Sequence, residues 1–153
     1  MAENIKKTPL VLLFLSCTFT FTGGGGGSVC VEPMENLTMK YGLEEVFTQE
    51  LVNAFLSDGR MRVTSCDASD AVLAGKITDY SKSPYAYTGE GEIREYKLEI
   101  SLEIVYYTQK GDTIRKKLTE WATYPEGGEE EEGIKRVAEK VKDRIILLLL
   151  DRW

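Results

Sequence analysis

The residue with the most definite chemistry is Cys17. Lys6 and Lys7 precede a short, mostly apolar run, PLVLLFLS over residues 9–16, whose last member, the small residue Ser16, stands directly before the thiol. That order is the order of a bacterial lipoprotein leader: a basic start, a brief hydrophobic segment, then a cysteine whose sulfur is acylated and which becomes residue one. The run is far short of the ~20 residues that a membrane-spanning helix requires. Phe14 and Leu15 depart from the commonest residues before such a cysteine, and the competing reading makes residues 8–21 a core strand carrying an incidental thiol. The leader reading predicts a signal peptide over 1–16, lipid attachment at Cys17, a flexible tether over 17–28 that includes Gly23 to Gly27, and one α+β domain over 29–153. Two acyl chains and an acylated amine hold a protein to its membrane far better than one chain does.

Few other residues offer covalent or acid–base chemistry. The chain has no histidine, which removes the Ser-His-Asp and Cys-His arrangements, the usual general base near neutral pH and the commonest nitrogen ligand of zinc. Cys17, Cys30 and Cys66 fit no CxxC spacing, so neither a metal site nor a disulfide framework is expected. The acids are scattered along wet faces or bunched at 129–132, where they suit the positive end of a helix dipole. The expectation is a protein that is not an enzyme and needs no cofactor or metal. With a formal charge of −6, it is also poorly suited to binding nucleic acid.

The elements that would carry these residues follow from periodicity. At 153 residues, 42% hydrophobic and 29% charged, the chain suits a single core. Residues 28–32 read as a short strand before a loop marked by Pro33 and Asn36. Leu43, Val46, Phe47, Leu51, Ala54 and Phe55 then lie at helical spacing, with Gly59 past their end. A second short strand over 60–64 completes a right-handed βαβ unit with parallel strands. In that unit Cys30 lies near the start of one strand and Cys66 past the end of the other, ~10 Å or more apart at ~3.3 Å per residue. A disulfide needs Cα atoms within ~7 Å, so Cys30 is expected as a free core thiol.

Three longer strands follow, over 71–80, 93–108 and 113–124. In the middle one Tyr96, Leu98, Ile100, Leu102, Ile104 and Tyr106 alternate with polar residues, which predicts one buried face and one wet face. Residues 109–112 make a hairpin turn, whereas 81–92 read as a long loop carrying Lys82, Tyr85 and Tyr87. A final amphipathic helix covers 129–153, its stripe running from Ile134 through Val137, Ala138, Val141 and Ile145 to Leu149. The predicted architecture is an α+β two-layer sandwich: a mixed sheet of four or five strands, two helices on one face, and the other face left to a partner.

Taken in order, SVCVEPMENLT, GLEEVFTQELVNAFLSDGRMRV, DAVLAGKITDYSKSP, EYKLEISLEIVYY and TYPEGGEEEEGIKRVAEKV resemble the lipopolysaccharide-assembly lipoprotein family, LptE. The most specific pieces are Glu35 to Thr38, the GLEE that opens the first helix, the pair Ser69-Asp70 and the TYPEGG before the last helix. Thr18 stands where many members carry glycine, and Cys30 where a small apolar residue is usual.

The resemblance implies a small lipoprotein of the outer membrane, on its periplasmic side, that sits within the lumen of the large β-barrel LptD, helps assemble it and binds lipopolysaccharide. The opening unit also resembles the N-terminal domain of TolB and the lipoproteins that activate penicillin-binding proteins, which keeps an adaptor of another envelope machine as the alternative. An anionic amphiphile calls for cations beside aromatic surface. The candidate contacts are Lys82 with Tyr85 and Tyr87, and the run Arg115, Lys116 and Lys117; the competing reading is a solvated loop and a solubilising strand face. Tyr106, Tyr107, Trp121 and Tyr124 suit a partner interface, with core packing of at least half of them equally open.

Overall fold

The computed structural model describes residues 27–150. The expected leader, Cys17 and the tether up to residue 26 lie outside them. In chain order the elements are β1 (Ser28–Val31), β2 (Glu35–Asn36), α1 (Leu43–Asp58), β3 (Arg62–Val63), β4 (Ala71–Tyr87), β5 (Ile93–Thr108), β6 (Thr113–Pro125) and α2 (Glu130–Leu150), with a 3-10 turn at Cys66–Ala68 between β3 and β4. They form the predicted α+β sandwich. The sheet order is β3-β1-β4-β5-β6, with β2 paired to the middle of β4. β1 is parallel to both β3 and β4, and β4 to β6 are an antiparallel meander. The sheet stays open.

Both helices cover one face. Leu43, Phe47, Leu51, Ala54 and Phe55 of α1 are buried, as are Ile134, Val137, Ala138, Val141, Ile145 and Leu149 of α2. They meet the alternate residues Leu98, Ile100, Leu102 and Ile104 of β5 in one core cluster. Each fully buried Phe or Leu of that set contributes about 1.5–3 kcal/mol, an upper range because the unfolded chain already hides part of its surface. Two glycines matter locally. Gly59 ends α1 in the left-handed region at φ 72°, its N–H donating to the Phe55 carbonyl over 3.1 Å. Gly75 leaves room for a neighbour: a Cβ there would lie 2.8 Å from Met34 Sδ and 3.0 Å from the Glu103 carbonyl oxygen.

Three expectations are corrected. Residues 81–92 are not a long loop: β4 runs on to Tyr87, and a tight turn closes with Thr88 N–H donating to the Glu92 carbonyl at 2.8 Å. Pro84 is tolerated there because beyond Ile77 the far side of β4 has no strand beside it, so no ladder donor is lost. Glu35–Asn36, read as loop, adds a short parallel strand on that same side.

The third correction concerns the cysteines. Cys30 and Cys66 form a disulfide, with Cα atoms 4.9 Å apart. Distance along the strands misled because β3 and β4 flank β1, so the chain between them must cross it. Val29 enters the core shared with the helices, whereas Ser28 and Cys30 point to the opposite face. There the 3-10 turn lies over β1, its Ala68 carbonyl near Ser28 Oγ (3.5 Å) and Cys66 on Cys30.

Candidate functional site

The start of the sheet is tied by a short network. Asp70 Oδ2 accepts from Ser28 N–H and Ser28 Oγ, both at 2.7 Å, while Asp70 N–H donates to Ser28 Oγ at 3.0 Å. The two Ser28 bonds, side chain first, hold the Asp70 carboxyl below the usual carboxylate range. Ahead of α1, Asn36 organises the turn. Its amide donates to the Lys40 carbonyl (2.7 Å) and to Glu44 Oε2 (2.8 Å), and its Oδ1 accepts from Thr38 N–H (3.0 Å) and Thr38 Oγ1 (2.8 Å).

That turn delivers Lys40 to a second network around Glu130, at the first turn of α2. Glu130 Oε1 lies 2.6 Å from Lys40 Nζ and accepts from Tyr80 OH at 2.8 Å; Oε2 accepts from Lys82 Nζ at 2.9 Å and from Tyr124 OH at 3.4 Å. Lys40, then Lys82 and Tyr80, hold this carboxyl down to about 2 against the opposing effect of burial. Tyr124 and Glu130 raise the Lys82 ammonium in turn, and burial followed by the Glu130 bond raises Tyr80. The Lys82 ammonium also stands 4.4 Å from the centroid of the Tyr96 ring. Lys82 thus fastens the meander to the first turn of α2, where Lys40 from the turn before α1 meets the same carboxylate.

The aromatic residues expected beside it go elsewhere. A bulge between Ile77 and Asp79 reverses the alternation of β4, so Tyr80, Lys82 and Pro84 pair with Ile100, Leu98 and Tyr96 on the helix side. Tyr85 falls on the opposite face, its ring centroid 5.8 Å from that of Trp121, and Tyr87 is exposed close to the turn. The basic run also divides. Arg115 and Lys117 stand on the uncovered face, and Lys116 on the helix side opposite Ile104. Lys117 Nζ is 2.8 Å from Glu103 Oε1, and Lys76 Nζ is 3.8 Å from Glu103 Oε2. Of the four interface aromatics, Tyr106 and Tyr124 are buried, while Tyr107 and Trp121 are about 40% exposed.

The uncovered face therefore carries Trp121 with Tyr85 and with Lys97, whose ammonium lies 5.3 Å from the indole centroid. Nearby, the Ser101 and Thr119 hydroxyls bond at 2.8 Å, and Lys97 pairs with Glu99 at 2.6 Å. This is a polar, aromatic and mixed-charge surface, suited to binding. Among the described residues no cluster of His, Cys, Asp or Glu could hold a metal ion, and no helix is long and apolar enough to cross a membrane. The Glu130 network had no signal in the sequence beyond an acid at a helix start. The Asn36 turn had one, because Asn followed two residues later by Thr is a familiar turn pattern.

The family model described as LptE, lipopolysaccharide-assembly, matches residues 27–149, all but the last of the described residues. The chain belongs to the LptE family. Among curated proteins none matches this sequence. Several solved structures share the fold of this LptE-family chain. Hypothetical protein CT253 from Chlamydia trachomatis has a TM-score of 0.56 at 9% identity, covering 81% of this chain and 95% of that one. Rare lipoprotein B from Shewanella oneidensis gives 0.52 at 15%, covering 82% and 96%. A PelC variant dodecamer from Paraburkholderia phytofirmans gives 0.51 at 16%, covering 76% and 85%. The residues that carry the LptE resemblance now have physical roles here: Asn36 and Thr38 shape the turn before α1, and Asp70 pins β1 to the start of β4.

Proposed function

We propose that this LptE-family protein is an outer-membrane lipoprotein, anchored through Cys17, that plugs the β-barrel LptD, helps assemble it and assists insertion of lipopolysaccharide. The family match over residues 27–149 carries the reading, and the uncovered face of the meander supports it. A plug needs a large exterior of mixed polarity more than it needs one reactive group, and the β4-β5-β6 face has that character. Function on this reading is binding without catalysis.

For lipopolysaccharide, the residues on the uncovered face are the better-placed contacts. Arg115 and Lys117 offer charge to phosphate groups, Tyr85 beside Trp121 offers ring surface, and exposed Tyr87 lies near the turn beyond them, whereas Lys116 turns to the helix side. Lys82 contributes indirectly, by holding β4 to α2 through Glu130.

Two measurements test this. Labelled fatty acid should enter the wild-type protein and fail to enter Cys17→Ser; absence of label from the wild type removes the anchor. Affinity purification from outer membranes should recover a large β-barrel. The parallel β1-α1-β3 unit is equally at home in the adaptor reading, so recovery of a peptidoglycan synthase in place of a barrel would overturn the plug.

A further inference from the structure

The outer edge of β6 is a free edge whose two halves differ. Pairing with β5 is uninterrupted from Thr113 to Pro125. At its ends the inward groups are those of even residues: Glu126 N–H donates to the Arg94 carbonyl at 2.9 Å, and the Asp112 carbonyl accepts from Thr108 N–H at 2.9 Å. The odd residues 113 to 123 therefore turn their N–H and C=O groups away from the sheet. At the far half these are occupied, because Lys140 Nζ donates to the Trp121 carbonyl (2.7 Å) and Arg136 to the Thr123 carbonyl (3.0 Å). Over 113–119, among the described residues, nothing bonds to the outward N–H and C=O groups of Arg115, Lys117 and Thr119.

The bare half is also the basic half. Arg115 and Lys116 are exposed and make no ion pair among the described residues, Lys117 shares only Glu103, and Lys110 lies in the adjoining turn. This stands out in a chain with 25 acidic and 19 basic residues. Pairing with a second copy would set Arg115 and Lys117 against the same cations, and like charges directly opposite destabilise a sheet. Alternation defines the complement. Arg115 and Lys117 face the uncovered side, and half-buried Ile114 and buried Leu118 face the helix side.

We propose that the β6 edge over residues 113–119 receives an extended segment of a partner protein as an added strand, the segment alternating acidic with apolar residues. Its acids lie against Arg115 and Lys117, its apolar residues against Ile114 and Leu118. Lys140 and Arg136 end the docking site by filling the next outward carbonyls. Main-chain bonds supply affinity, and the charge pattern excludes self-pairing.

The probe is a fluorescein-labelled peptide of alternating Glu and Val, read by anisotropy with the full chain. Its controls are an alternating Lys and Val peptide, and the Glu and Val peptide N-methylated at every second amide. The Glu and Val peptide should bind saturably, and both controls should bind about tenfold or more weakly, as expected when strand hydrogen bonds or charge pairs are lost. Thr119→Pro removes one outward N–H while keeping every cation, and should weaken binding about tenfold with α1 and α2 intact by circular dichroism. In wild type, hydrogen exchange at Arg115, Lys117 and Thr119 should slow when the peptide is added. Equal binding of the N-methylated peptide, no slowing at those three amides, or no saturable binding overturns the proposal; the last would make the cations a device that keeps the edge unpaired.

Discussion

Glu130 shows how one side chain is set by its neighbours. Its carboxyl is held at about 2 in the folded protein, against 4.5 without those partners. Between these values the unfolded chain carries a proton that the folded chain lacks, so stability rises with pH across that window and falls away as pH drops through it. Glu130→Gln should flatten the slope of unfolding free energy between about pH 2 and 4.5, measured by urea titration at several pH values. A different constraint acts at Gly75. An added methyl group meets both a flexible Met34 end and an immovable backbone carbonyl, so Gly75→Ala should lower stability by about 2 kcal/mol in thermal melts. Neither effect is legible in sequence. An acid at a helix start has the same appearance whether it meets only a dipole or, as here, Lys40, Lys82, Tyr80 and Tyr124.

At the scale of elements, the Cys30–Cys66 bridge fixes the crossover between β3 and β4 onto β1. With its ends 36 positions apart, closing that loop restricts the unfolded chain by about 4 kcal/mol in the entropic account. Cys30→Ser with Cys66→Ser should therefore unfold at markedly lower denaturant, and dithiothreitol should bring the wild type close to the double variant. Helix α1 and the whole of β5 were legible because each buries one stripe or one face and exposes the other, and the hairpin at 109–112 because Gly111 and Asp112 are turn residues. β4 was legible only to its midpoint. Pro84 and the serines resemble a turn, and nothing in the residue types announces the bulge after Ile77 that moves Lys82 to one face and leaves Tyr85 on the other. The cysteine pairing was hidden for a related reason: spacing along strands says nothing about which face a connection crosses.

The molecule as a whole joins a local meander to a non-local N-terminal unit. β4, β5 and β6 are consecutive and joined by tight turns, while β1 pairs with residues 62–63 and 71–73. Native-state hydrogen exchange should show Leu98 to Ile104 of central β5 opening only with global unfolding, and the two residues of edge strand β3 exchanging much sooner. The same topology sets an order of events for a chain delivered from its N-terminus. β1 arrives first, yet both strands that flank it come later: it gains one neighbour with residue 63 and the second only when residue 73 has emerged. Until then Val29 lacks its full cover, and the Cys30 thiol stays free until Cys66 follows, so the first strand made is seated only after a helix and further strands have emerged.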